Sequence, residues 1–267
     1  VSAFEALAVI VAGMAAGTIN TIVGSGTLIT FPTLLLLGVN PVTANMSNTV
    51  GLVAGGITGI HGYRKELVGA RHDLARLAPM TFAGAVVGAI LLLVLAPDAF
   101  RAIVPVLILL GALLVLFGPR ITALTARHRD DSDDSDDSDD SDDAGSPWRL
   151  RLMQLGVFVA GVYGGYFGAA QGVLLMGIMS ILSSHPIQRL NGYKNVLGTI
   201  ANAVAAVVFI IVAGDRIDWV VAGLIAVGAL IGGVIGSTVG RRLSPLALRI
   251  IIAVIGVVAI VKVVWFP

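Results

Sequence analysis

Long apolar stretches of this chain are punctuated by neutral hydrogen-bonding side chains set among glycines. Asn20, Thr21, Ser25 and Thr27 stand in GTINTIVGSGT (17–27), and Tyr166 and Gln171 stand in GVYGGYFGAAQG (161–172). A polar group left unpaired in an apolar medium is costly, so these side chains are expected to face a cavity or each other rather than lipid. Each can donate a hydrogen bond to an oxyanion without adding charge. A second set follows in each part of the chain: Asn45, Ser47, Asn48 and Thr49, then Asn191, Lys194 and Asn195. Lys194 admits two readings. It neutralises an anion beside a cavity, or it snorkels from the end of its helix to the headgroups. This chemistry is binding, not bond making. No His–carboxylate or Ser/His/Asp arrangement falls in the apolar stretches, and cysteine is absent. His61 and His185 sit at segment ends without a second histidine or a carboxylate at metal-ligand spacing. Arg189 reads as an anchor at the membrane edge more than as a ligand. Neither an enzyme, a metal site nor a cofactor is expected.

The elements that position these residues are read from the breaks between apolar runs. Asn20–Thr27 and Gly168–Val173 each precede a segment of about ten residues, Leu28–Leu37 and Leu174–Leu182. At 1.5 Å per residue such a segment is short for crossing about 30 Å of hydrocarbon. Broken helices leave backbone N–H groups free at their N-termini, where the positive end of the dipole also favours an anion. Gly24, Gly26, Gly168 and Gly172 are therefore placed in the candidate site with the side chains above. The competing reading is that these glycines only let helices approach closely. Their matching positions in the two parts of the chain favour the break.

Composition sets the class. Hydrophobic residues make up 57% of the 267, charged residues only 12%, and glycine occurs 33 times; mean hydropathy is +0.95. A water-soluble domain has no means of hiding that much apolar surface. The first apolar stretch lacks a basic leader and is expected to be a helix of the mature protein. The net charge of +1 is a near-cancellation, because ten of the sixteen acids lie in the Asp-Asp-Ser repeat Asp130–Asp143. Such a run is expected to be a solvated linker. Segments are expected at about 3–22, 26–37, 41–61, 74–95 and 99–118, and again at 150–168, 171–183, 192–213, 217–239 and 246–265. With 62–73 in the cytoplasm, fourteen Lys and Arg fall inside and three (Arg101, Arg216, Lys262) outside, which places both termini outside.

The halves also resemble each other in sequence. Val11-Ala12-Gly13, Gly17 and Gly24 match Val159-Ala160-Gly161, Gly165 and Gly172 at a constant offset of 148. Asn48-Thr49-Val50-Gly51 matches Asn195-Val196-Leu197-Gly198, and Arg101 to Phe117 matches Arg249 to Trp265. An odd number of segments per half makes the repeats inverted, a scaffold that can open alternately to either side. GTINTIVGSGTLITFP (17–32), with LLLLGVNPVTANMSNTVGLVAGGITG after it, resembles the N-terminal signature of the sulfite exporter TauE/SafE family. GVYGGYFGAAQG (161–172) and RLNGYKNVLG (189–198) resemble its second-half counterpart. The resemblance implies a bacterial or archaeal plasma-membrane permease for small sulfur-containing anions such as sulfite, sulfonates or sulfoacetate.

The expected architecture is an all-α integral membrane protein of about eight to ten segments, as two inverted-topology repeats with short broken or re-entrant helices near the start of each half. Its parts are a first repeat (1–118), a cytoplasmic acidic linker (119–149) and a second repeat (150–267). The expected partners are a small anion and the lipid bilayer, with no nucleic acid. An anion channel of the same architecture, or a membrane assembly protein, is the alternative.

Overall fold

The computed structural model describes residues 2–133 and 147–238, and among these the chain is helical between short turns. In the first half the helices are α1 (Ala3–Ile22), α2 (Thr27–Leu36), α3 (Pro41–Gly62), α4 (Arg71–Val94) and α5 (Pro97–Asp133). In the second they are α6 (Pro147–Tyr166), α7 (Gln171–Leu182), α8 (Ile187–Ala213) and α9 (Trp219–Thr238). Local chemistry sets the boundaries. Ser2 and Glu5 form a reciprocal capping box at the start of α1. Asn40 caps α3 by accepting from the Val42 N–H at 3.0 Å, with Pro41 in the first helical position where its missing N–H is not needed. Asp218 caps α9 by accepting from the Val221 N–H at 3.0 Å.

Burial is distributed as lipid solvation requires. Phe4 and Leu7 of α1, Phe82 and Val94 of α4, Val106 and Leu109 of α5, and Ile211 and Val212 of α8 are exposed apolar side chains. Asn45, Ser47, Asn48 and Thr81 are fully buried. Among the described residues five helical spans are long and apolar enough to cross a membrane: Ala3–Ile22, Arg71–Val94, Asp98–Phe117, Ile187–Arg216 and Trp219–Thr238. In α3 Asn45, Ser47, Asn48 and Thr49 face inward; the short helix α2 is buried on nearly every side, and α7 chiefly along its first turn and one face.

Helix packing is paired between the halves. α1 lies along α9 and α6 lies along α4, while α3 and α8 meet between them. Both seams bring backbone against backbone. A Cβ on Gly17 would lie 2.4 Å from the Ala229 carbonyl oxygen, and one on Gly165 would lie 2.2 Å from that of Ala85. Close backbone packing through glycine thus extends along both seams.

The first half ends on its longest helix, α5. That helix continues to Asp133, into the stretch expected to form the linker (119–149) and the first acids of the Asp-Asp-Ser run. The helix thus passes through Gly118-Pro119, a pair that ordinarily interrupts a helix, and runs on past the apolar span. The rest of the insert and the expected tenth segment (246–265) lie outside the described residues.

Candidate functional site

Both breaks are built on a glycine in the left-handed region, φ +86° at Gly24 and +73° at Gly168, where a side chain would be strained. Each follows the carbonyl end of a long helix, and each precedes a short helix by three residues, Thr27 starting α2 and Gln171 starting α7. The equivalence at the breaks is thus Gly24 with Gly168 and Thr27 with Gln171. Motif matching had paired Gly24 with Gly172, one helical turn later. Gly24 and Gly172 instead touch each other: the Gly172 N–H donates to the Gly24 carbonyl at 3.0 Å, and a Cβ on either would lie 2.4 Å from the other's Cα. The two breaks therefore meet at one point in the core.

Beside that point lies a cavity of about 20 Å³, room for about one water. Eight of the sequence-predicted site residues line it: Asn20, Gly24 and Thr27 from the first break, Gly168, Gln171 and Gly172 from the second, and Lys194 and Asn195 from α8. Gln171 is 4% exposed, and its side-chain Nε2 has no hydrogen-bond partner. Gly164 makes room for that amide, since a Cβ there would lie 2.3 Å from the Gln171 Cδ. Neither α2 nor α7 has a side-chain cap, although Asn20 Oδ1 reaches within 3.5 Å of the Gly26 N–H.

Lys194 is 2% exposed and does not reach the headgroups; the snorkelling reading is replaced by an inward one. Its Nζ donates to the carbonyls of Thr21 (3.0 Å) and Ile22 (2.9 Å) at the C-terminal end of α1, where the negative end of the dipole favours a cation. Asn195 Nδ2 also donates to the Thr21 carbonyl, at 3.2 Å. No carboxylate pairs with Lys194 among the described residues.

Six predicted residues lie outside the lining. Thr21 serves through its carbonyl, while its hydroxyl donates back to the Gly17 carbonyl at 2.9 Å. Asn48 is committed to α2: its Nδ2 donates to Thr27 Oγ1 at 3.1 Å and its Oδ1 accepts from Thr30 Oγ1. The Asn191 carbonyl accepts from Asn195 at 2.9 Å. Ser25 is fully buried with an unpartnered hydroxyl, and Gly26 is the N-cap of α2. Tyr166 turns away, its ring 5.8 Å from that of Phe100 in an edge-to-face contact and beside an outer apolar groove.

Gly198, Thr199 and Asn202 line the cavity and were missed. Their signal is spacing. Lys194, Gly198 and Asn202 recur every four residues on one face of α8, with Asn195 and Thr199 beside them. A larger cavity, about 320 Å³, opens where α4, α6 and α8 begin. There Asp73 accepts from Tyr193 Oη at 2.6 Å and lies 2.9 Å from His185 Nε2. Arg189 donates to Tyr193 Oη at 2.8 Å, which ties it into this cluster. His185 thus has a carboxylate neighbour that sequence spacing could not reveal.

Among the described residues the lining collects hydrogen-bond donors and Lys194 with no carboxylate, a set of groups that can hold an anion. The family model described as Sulfite exporter TauE/SafE matches residues 9–263. "Probable membrane transporter protein YfcA" of Escherichia coli (strain K12) is 25% identical over 253 residues, covering 94% of this chain and 87% of the relative. A "Probable membrane transporter protein" of Haemophilus influenzae is 23% identical, covering 95% and 92%. "Probable membrane transporter protein ORF9" of Sinorhizobium sp is 26% identical, covering 99% and 95%. No solved structure matches the chain. With the family match spanning nearly all of it, the chain is a membrane transporter that belongs to the TauE/SafE sulfite exporter family.

Proposed function

We propose that this transporter is a permease for small sulfur-containing anions of the sulfite, sulfonate or sulfoacetate class, and that it works by alternating access. One observation carries the reading: Lys194, a buried ammonium with no carboxylate partner among the described residues, shares a cavity with the unpartnered Gln171 Nε2 where two broken helices meet. A desolvated anion needs several convergent donors, and charge-assisted hydrogen bonds supply about 1.5–3 kcal/mol each. Asn20, Thr27, Asn195, Thr199 and Asn202 complete the ring of polar groups. Asn48, Thr21 and Asn191 hold that ring in place.

The cavity holds about one water, so a sulfite-sized ion needs the halves to part before it enters. That tightness favours a carrier over an open channel. Parting along the paired seams, with the repeats inverted in the bilayer, exposes the site to each side in turn. Liposomes containing the purified protein should take up labelled sulfite with saturation and with competition by sulfonates. Flux rising linearly with concentration, at rates far above a carrier's, would replace the carrier with a channel.

The charge asymmetry of the loops supports a prokaryotic plasma membrane with both termini outside and the acidic insert in the cytoplasm. The chain has no cysteine, so Ala144→Cys creates a unique label site. A membrane-impermeant thiol reagent should modify it in inside-out vesicles and leave it untouched in intact cells. Labelling in intact cells reverses the orientation.

A further inference from the structure

We infer that the Lys194 ammonium fills what would otherwise be a monovalent-cation site at the carbonyl end of α1, so that this carrier moves its anion without a sodium ion. The inference rests on the carrier reading above and extends it to coupling. In broken-helix carriers the carbonyls at the end of a half-helix are ligands for a coupling cation, placed beside the substrate so that the cation also offsets its charge. Here the two such carbonyls, Thr21 and Ile22, are both taken by Lys194 Nζ at 3.0 and 2.9 Å, and the same side chain lines the cavity.

The other half shows that capping alone does not require a charge. The end of α6 is held from α3 by Asn45, whose Nδ2 donates to the Tyr166 carbonyl at 3.0 Å. A neutral amide suffices there. At α1 a neutral amide is present too, since Asn195 already donates to Thr21, and the ammonium is added to it. A buried ammonium is expensive unless something offsets it. The carbonyl pair, the dipole of α1 and an anion in the cavity together do so, which is the environment a bound sodium ion would occupy. Because the lysine stays with the protein, the anion's charge crosses unbalanced, and an inside-negative potential drives it outward.

Lys194→Ala removes the tethered cation and leaves the carbonyls with space for a free one; Lys194→Met removes the charge and keeps the space filled. Thermal unfolding of the purified proteins in sodium chloride or choline chloride at equal ionic strength, without any substrate anion, is the first readout. The parent and Lys194→Met should unfold at the same temperature in both salts, whereas Lys194→Ala should gain about 2–4 °C or more in sodium. Sulfite flux in liposomes is the second: the parent should differ less than about twofold between the salts, and Lys194→Ala should regain at least about tenfold in sodium. A sodium requirement in the parent overturns the inference. So does a Lys194→Ala protein that responds to neither salt, or that cannot be recovered folded in either. If the parent carries no sulfite, the substrate proposal fails, and the unfolding readout still decides the cation site.

Discussion

The two breaks perform one structural task with different chemistry. In each, a helix from the opposite half holds the carbonyl end of a broken helix: α3 holds α6 through Asn45, and α8 holds α1 through Lys194 and Asn195. The polar groups of α3 are committed to partners in both halves. Asn48 is bonded to Thr27 and Thr30, and Ser47, which matches Lys194 in the repeat, accepts from the Asp218 N–H at 2.9 Å. The second half brings donors to the cavity, with Gln171 Nε2 unpartnered and Lys194 in the lining while its ammonium holds the end of α1. On the proposed reading, divergence of a few side chains between the halves leaves Asn48 and Ser47 to hold the frame and Gln171 and Lys194 to meet the ligand.

The sharpest break of that comparison is to remove the two capping donors separately. Lys194→Met should weaken sulfite binding by about a hundredfold, since losing one member of a buried charge-assisted set costs about 2–5 kcal/mol. Asn45→Leu removes a neutral donor and should change affinity by less than about threefold while lowering stability by about 1 kcal/mol. Equal losses in direct binding measurements would erase the proposed division between halves. Gln171→Leu comes next, at about tenfold in affinity with little change in unfolding temperature, because its Nε2 has no hydrogen-bond partner within the protein. Asn48→Leu should reverse that pattern. Its cost falls on stability, about 1–3 kcal/mol from stranding Thr27 and Thr30, with affinity changed by about threefold. An affinity loss from Asn48→Leu as large as that from Gln171→Leu would put Asn48 among the ligands.

The contrast also explains what was legible in the sequence. Helix positions followed from apolar length, and the breaks from glycine, because lipid forces every backbone group to be satisfied and leaves few local options. Lys194 could be nominated but not oriented: about 10 Å into α8 from Ile187, a lysine can turn to either side, and the carbonyls that decide the matter come from α1. Tyr166 was nominated and turns outward, because packing against Phe100 sets its direction. Asn202 was readable and overlooked, being a lone amide in an apolar span at helical spacing from Lys194. The pairing of Asp73 with His185 joins residues 112 apart, and no local pattern announces it.

The smallest effect is expected from the segment the repeats do not share. The run Asp130–Asp143 carries ten of the sixteen acids, so without it the body has seventeen bases against six acids. A low-complexity acidic run has no apolar surface with which to join the core, and its charges act on the site only through solvent. Beyond about 8–10 Å at physiological salt that action is largely screened. Deleting Asp130–Asp143 should therefore leave sulfite flux within about twofold of the parent. The sign is also fixed. With the insert on the cytoplasmic side, its negative charge repels anions approaching from there, so deletion should raise entry from that side at low ionic strength. Added salt should shrink the difference, because screening weakens a field but leaves a packed contact intact. A near-complete loss of flux in a correctly inserted deletion protein, unchanged by salt, would mean that the insert contacts the transporting body directly and that the two repeats alone do not make the carrier.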